Sequence, residues 1–313
     1  MKIIIRNCNV AELDIPLKYA TKLYNEFAIR HPNAFYLRTR QRGMQNWDGK
    51  IKYITKTGQF KIGLLPSVYK RCIELGIKPI IVDMRQPLPK VSKVVTQIGK
   101  YKLRPEQEKA VKAILSNKLG ETPFQIGVLD YTVNAGKTLI MSALYLSYKK
   151  QLKTLLITND SDWLNQARDE FKQYLPGEDI TFVQGKVLNW SNFTIGMVQS
   201  ISRNMKYYQN ELAKIDMVLI DEADQGGSKQ YQNVITRLFN TRVRIGLSGT
   251  IYMSKLAKDK VKNMNLRCFF GDVIAEFKLK DSIKKGYSTK LIIKSLEVKP
   301  RSAKKQSVGM DFK

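Results

Sequence analysis

Tyr131-Thr132-Val133-Asn134-Ala135-Gly136-Lys137-Thr138 is the stretch on which the reading of this chain turns. An apolar run, Phe124 to Leu129, precedes it and reads as a buried strand; Leu139 to Tyr148 follows and reads as a helix. A strand, a turn of small residues ending Gly-Lys-Thr and a helix make a phosphate-binding loop. Backbone N–H groups at the helix start hold phosphate oxygens, the lysine neutralises the β/γ charge, and the threonine hydroxyl sits on Mg²⁺. The full pattern, G-x-x-x-x-G-K-[ST], begins with glycine, and this chain has Tyr131 there. A Gly-Lys-Thr standing alone also suits an ordinary helix start, so the surrounding sequence has to decide.

From residue 100 to about 290, apolar strand patterns alternate with helical ones, which implies a parallel sheet covered on both faces. The expected strands are Gln125–Leu129, Thr154–Thr158, Ile180–Phe182, Phe193–Met197, Met217–Ile220 and Val243–Leu247. Ligands bind at the carboxyl ends of such strands, and polar groups cluster there. Asp221-Glu222-Ala223-Asp224 follows the fifth strand; its first acid can hold the Mg²⁺ that Thr138 also touches, and its second can polarise a water for attack on a γ-phosphate. Ser248-Gly249-Thr250 follows the sixth and suits a loop that senses phosphate. Gln107 opens a helix ahead of the loop, and its amide can read an adenine edge. Thr158-Asn159 and Gln199 are polar strand ends that can touch a phosphodiester backbone. Each motif alone also fits a solvated loop; their order and placement carry the reading.

That ordered set resembles the first RecA-like motor domain of superfamily 2 helicases, with Asn134 standing where the family usually has glycine. Asn46-Trp47-Asp48-Gly49-Lys50-Ile51, followed by Gly63-Leu64-Leu65-Pro66, is similar to the small basic domain of the UvsW-like phage helicases, which handle forks, Holliday junctions and R-loops. The expected fold is therefore α/β: a P-loop RecA-like parallel sheet with helices on both faces, preceded by a small α+β basic domain. The expected division is 1–97, 98–290 and a basic tail 291–313.

The resemblance implies ATP and Mg²⁺ as cofactors. Arg104, Gln107, Asn134, Ala135, Gly136, Lys137 and Thr138 would hold the nucleotide. Thr138 and Asp221 would hold the metal, and Lys137, Asp221 and Glu222 would serve catalysis. Ser248, Gly249 and Thr250 would couple nucleotide state to DNA. No second βαβ set fits between residues 290 and 313. A second RecA-like domain bearing arginine fingers is thus expected as a partner outside this chain, which alone would turn ATP over slowly if at all. Two other readings stay open: a nucleic-acid-binding module with an incomplete ATPase site, and an RNA helicase fragment. Asp-Glu-Ala-Asp matches the RNA-directed subgroup by letter, but Ser248-Gly249-Thr250 stands where that subgroup has Ser-Ala-Thr.

Bulk composition points the same way. The 313 residues hold 54 Lys+Arg against 27 Asp+Glu, a net charge of +27, which argues for a polyanionic partner, DNA before RNA. Residues 1–100 hold 19 basic and 6 acidic residues, so the excess is not confined to the motor. Within 1–97, Arg38, Arg40, Arg42, Lys50 and Lys52 are interleaved with Tyr36, Trp47 and Tyr53, the mixture that binds phosphates and stacks on bases. The expected elements here are a strand over 1–10, a helix from Pro16 to Arg30, a half-exposed strand Phe35 to Arg40, a hairpin over 50–64, a helix Pro66 to Leu75 and a strand Pro79 to Val82; 87–99 reads as a linker. Trp47 reads more readily as core than as a base platform. Three scattered cysteines without metal spacing and a single histidine, His31, argue against a Cys/His metal site and against His-based catalysis. No apolar run is long enough for a membrane span, so no membrane partner and a cytoplasmic location, that of a host bacterium if phage-encoded, are expected.

Overall fold

The computed structural model describes residues 1–41, 43–185, 187, 190–252 and 259–290. Arg42 and the 291–313 tail lie outside them. The N-terminal part runs β1 (Lys2–Ile5), β2 (Val10–Asp14), α1 (Leu17–Glu26), β3 (Ala28–Arg30), α2 (Ala34–Arg40), β4 (Lys50–Lys52), β5 (Gln59–Lys61), α3 (Leu65–Glu74) and β6 (Ile80–Asp83). Two short strands, β7 (Gln97–Ile98) and β8 (Tyr101–Lys102), lead into α4 (Pro105–Ser116) and a small hairpin, β9 (Lys118–Leu119) with β10 (Thr122–Pro123). Then come β11 (Ile126–Tyr131), α5 (Lys137–Ser147), β12 (Thr154–Thr158), α6 (Ser161–Tyr174), β13 (Ile180–Val183), β14 (Phe193–Met197), α7 (Val198–Arg203) and α8 (Met205–Leu212). The described part closes with β15 (Met217–Asp221), α9 (Lys229–Ile235), β16 (Val243–Ser248), α10 (Asp259–Phe270), β17 (Val273–Phe277) and α11 (Leu279–Lys284).

The large sheet has seven strands in the order β13-β14-β12-β15-β16-β11-β17, every pair parallel. The six expected strands are present to within a residue or two. The seventh, β17, is not among them: Val273–Phe277 reads as exit sequence, yet it pairs along β11 as an edge strand. Strand alternation sorts the core cleanly. Leu155, Ile157, Val218 and Ile220 face one side, while Leu156, Met217 and Leu219 face the other with α4, α5 and α6. The first side is continuous with Ile3, Ile5, Leu23, Leu64 and Leu65 of the N-terminal part, so the small sheet and the large one share an apolar interior.

The N-terminal part departs from expectation in four places. The helix expected from Pro16 to Arg30 stops at Glu26, and Ala28–Arg30 is strand β3, paired with β4. The expected single strand over 1–10 is broken: Asn7 Oδ1 accepts from the backbone N–H of Asn9 (2.8 Å) and Val10 (3.0 Å), a side-chain turn that folds the chain back into β2. Phe35 to Arg40 is helix, not strand. Six residues cannot separate a period of two from one of 3.6, and the packing that decides is Ala34, buried, with Leu37 one turn on. The 50–64 hairpin forms only its turn and one bridge, Ile54 to Phe60; β4 pairs with β3, and β5 joins the sheet β5-β2-β1-β6.

Candidate nucleotide site and nucleic-acid surface

Because the sheet is parallel, the ends of β11, β16 and β15 lie side by side on one edge, and the three motifs meet there. Gly136 caps α5 in the left-handed region, φ 70°. A side chain there would have its Cβ 2.3 Å from Gln107 Nε2, so any residue but glycine strains the backbone and displaces the Gln107 amide. Asn134 also has a positive φ, 63°. Asparagine tolerates that conformation better than any other residue with a Cβ save aspartate, which accounts for its replacing a glycine. Tyr131 needs no such freedom: it is the last residue of β11, fully buried, and its hydroxyl donates to Glu106 O at 2.8 Å.

Lys137 Nζ lies 3.5 Å from Asp221 Oδ1, an ion pair too long for a good hydrogen bond. That carboxylate is buried, and Oδ1 has no hydrogen-bond partner. Burial pushes the Asp221 carboxyl above its ordinary range, and Lys137 pulls it back. Glu222 sits exposed in the left-handed region, φ 51°; partial desolvation of its carboxyl raises its pKa, and the neighbouring Asp221 and Asp224 charges raise it further. Ser248 Oγ donates to Asp224 Oδ1 at 3.0 Å and accepts from Thr250 N at 3.2 Å, so the β16 loop is tied directly to the acidic loop. Thr138 is buried at the first turn of α5. An all-oxygen set of Thr138 and Asp221, with an orphaned buried carboxylate oxygen, fits Mg²⁺.

Gln107 is placed differently from expectation. It is 1% exposed; Nε2 donates to Ala135 O (2.9 Å) and Oε1 accepts from Arg104 N (2.8 Å). In this arrangement its amide braces the loop instead of presenting a free edge to a base. Arg104 NH2 donates to Asn134 O at 3.2 Å, and its guanidinium lies 4.4 Å from the Tyr287 ring centroid. Residues missed by sequence reasoning complete this side: Lys285 Nζ meets buried Glu106 at 2.7 Å, and Lys278 pairs with buried Asp130. A buried acid flanking a phosphate loop was the available signal; its partners lie about 150 to 180 residues away in sequence and carried none.

The nucleic-acid positions divide. Arg38 and Arg40 are exposed on α2, beside Phe35 (80% exposed) and Tyr36 (55%), with the Arg40 guanidinium 5.1 Å from the Tyr36 ring. Lys50 is exposed; Lys52 is turned onto the Tyr24 ring (4.6 Å) and Asp48 (3.2 Å). Trp47 is half-buried, not core: it packs edge-on against His31 and donates to Lys50 O at 3.0 Å. Thr158 is a correction. It is fully buried and its hydroxyl accepts from Asp160 N at 3.2 Å, so it cannot reach a strand of nucleic acid. Asn159 and Gln199 are joined, Nε2 to O, at 3.3 Å and are half-buried. His31 and Pro32, just ahead of α2, face Asp224 and Gln225 across a cavity of about 360 Å³.

A parallel sheet carrying a lysine-tipped loop, a strand-end acid and a linked Ser-Gly-Thr loop is a helicase-type motor. Residues 100–253 match the family model described as "Type III restriction enzyme, res subunit", a helicase-type domain. The chain is similar to UvsW, the ATP-dependent DNA helicase of Enterobacteria phage T4: 24% identical over 272 residues, covering 80% of this chain and 51% of UvsW. The crystal structure of the UvsW helicase from bacteriophage T4 superposes with a TM-score of 0.68 at 21% identity, over 88% of this chain and 100% of that one. A protein of Acanthamoeba polyphaga mimivirus named as an ATP-dependent RNA helicase is 26% identical over 147 residues, 47% of this chain and 27% of its own. The chain thus spans about half the length of the phage relative and about a quarter of the viral one.

Proposed function

We propose that the chain is the ATP-binding half of a DNA helicase that remodels branched DNA. The observation that carries this reading is the Lys137–Asp221 pair at 3.5 Å beside a glycine-capped helix start. Backbone N–H groups of Asn134 to Thr138 and the Lys137 ammonium hold the phosphates. Thr138 and Asp221 would hold Mg²⁺, which would supply neutralising charge to the phosphates. Glu222, its proton affinity raised by partial desolvation and neighbouring acids, would orient the attacking water and take its proton as the bond to ADP breaks. Arg104 and Gln107 set the loop's shape on the adenosine side. The Ser248–Asp224 bond carries nucleotide state towards the nucleic acid.

The DNA side of the proposal rests on the net charge of +27 and on α2, where two exposed aromatics and two arginines share a short helix. A second RecA-like domain closes the site with arginine side chains, since among the described residues only Lys137 offers a cation to Asp221 at ion-pair distance. The division into 1–97, 98–290 and 291–313, and action on forks or junctions in recombination and repair, belong to the same proposal. The name of the mimivirus relative favours RNA as the alternative substrate. Turnover of ATP by residues 1–313, with and without a second motor domain, on forked DNA, linear duplex and single-stranded RNA tests all of it. Slow turnover alone and a preference for forks are expected. Fast DNA-stimulated turnover by residues 1–313 alone would remove the shared site, and equal stimulation by every nucleic acid would remove the branched-DNA assignment.

A further inference from the structure

At the opposite edge of the large sheet, where the strands begin, a cavity of about 620 Å³ opens between the small sheet and the motor. Its inner wall holds two buried arginines, Arg85 at the end of β6 and Arg242 at the start of β16, with side chains 2% and 8% exposed. Both lean on one carboxylate. Asp83 takes Nε and NH2 of Arg85 at 2.8 and 2.9 Å, and NH2 of Arg242 at 3.4 Å. Arg85 NH1 and Arg242 Nε are buried without a partner. Behind Cys8 lies a third guanidinium, Arg244, fully buried and held only by neutral acceptors: Cys8 O, Asn9 Oδ1 and Phe269 O.

Buried cations that outnumber their carboxylates, with donors left over, are costly unless an anion joins them. Arg6 and Lys214 on the rim add positive charge; their own acids, Glu12 and Glu211, face them from outside the cavity. Asp216 is the one carboxylate in the lining, with Oδ2 already accepting from Lys153 N at 3.0 Å. Leu88, Leu152 and Phe239 give the same cavity an apolar side.

We propose that this rear cavity binds a phosphate group, with the Arg85 and Arg242 guanidiniums on its oxygens and the attached sugar or base against Leu88 and Phe239. Guanidinium forks match phosphate oxygens in pairs, and the volume suits a nucleotide-sized body rather than a bare ion. The site is separate from the nucleotide loop, because the two lie at opposite ends of parallel strands.

Calorimetric titration of residues 1–313 tests the proposal, with inorganic phosphate, AMP and a short single-stranded oligodeoxynucleotide as probes. It is run in wild type and in Lys137→Ala, which removes the loop lysine. Binding that survives Lys137→Ala, falls roughly fivefold with Lys214→Glu or Arg6→Glu, and is lost in Arg242→Met is the expected result. Should Arg242→Met fail to fold by circular dichroism, the two rim variants, exposed and remote from the core, carry the test. AMP more sensitive to the rim variants than the oligonucleotide assigns the phosphate to a free nucleotide; the reverse assigns it to a nucleic-acid strand. Affinities unmoved by Arg6→Glu, Lys214→Glu and Arg242→Met, or binding abolished by Lys137→Ala alone, overturn the site.

Discussion

Replacing Gly136 by alanine should couple, through one side chain, the shape of the phosphate loop to the start of α4. Gly136 has φ 70° and ψ 47°, where an L-residue bears about 1–2 kcal/mol of strain. The new Cβ would stand 2.3 Å from Gln107 Nε2 and 3.2 Å from Arg104 NH2. Gln107 must then leave Ala135 O and Arg104 N, two bonds of 2.9 and 2.8 Å in a buried setting, each worth about 1 kcal/mol. Together these give a loss of about 3–4 kcal/mol for Gly136→Ala and about 2 kcal/mol for Gln107→Ala. In the double variant the clash and the broken bonds are no longer counted twice, so the total should fall short of the sum by about 2 kcal/mol. Denaturant unfolding of the four proteins measures the cycle, and binding of a fluorescent ADP analogue should follow the same non-additivity. Single losses that add to within about 0.5 kcal/mol would refute the claim that Gln107 braces the loop.

Gly63→Ala should be destabilising by about 1–3 kcal/mol or more, because its Cβ would meet two backbone carbonyls of α10, Arg267 O at 2.1 Å and Cys268 O at 2.7 Å, neither of which can swing away; an unfolding midpoint unchanged from wild type would contradict that close approach. Asp221→Asn should raise the melting temperature at about pH 8. A carboxyl whose folded pKa lies above its unfolded one gives stability at low pH and loses it as pH rises through the folded value, so the gain should vanish in acid. A variant no more stable than wild type at about pH 8 would contradict the burial of this charge. Arg38→Ala with Arg40→Ala should weaken DNA binding and flatten the slope of log K against log salt by about 0.7–0.9 for each phosphate no longer neutralised; an unchanged slope would place the DNA on another surface.

The motor was legible where one physical signal was long enough to be unambiguous. Met217 to Ile220 is four apolar β-formers closed by an acid, and the fold buries all five residues. The N-terminal part was legible in inventory but not in arrangement. Phe35 to Arg40 is too short for its period to be read, and the turn at Asn7 depends on a side chain accepting two backbone N–H groups, which composition does not announce. The Gly63-Leu64-Leu65-Pro66 motif was visible as a resemblance, and the reason for its glycine was not: the carbonyls it accommodates belong to α10, some 200 residues on. Thr158 failed for a related cause. The end of a strand is a good address for a ligand only if the residue there points out of the sheet, and Thr158 is still inside it.

The two irregular letters of the phosphate loop resolve once each position is taken by its backbone. A glycine is required where φ is positive or where a Cβ has no room, and the loop has one position that meets both conditions, Gly136. Asn134 meets only the first, φ 63° with its side chain exposed, and asparagine satisfies it. Tyr131 meets neither; it is strand, and its ring and hydroxyl hold β11 to Phe277 of β17 and to Glu106 of α4. A large residue at that point therefore adds a brace from the strand side to the one Gln107 gives from the helix side. The loop's geometry is fixed by those neighbours as much as by its own sequence, so substitutions at Tyr131 or Gln107 should loosen phosphate binding while leaving Lys137 and Asp221 untouched.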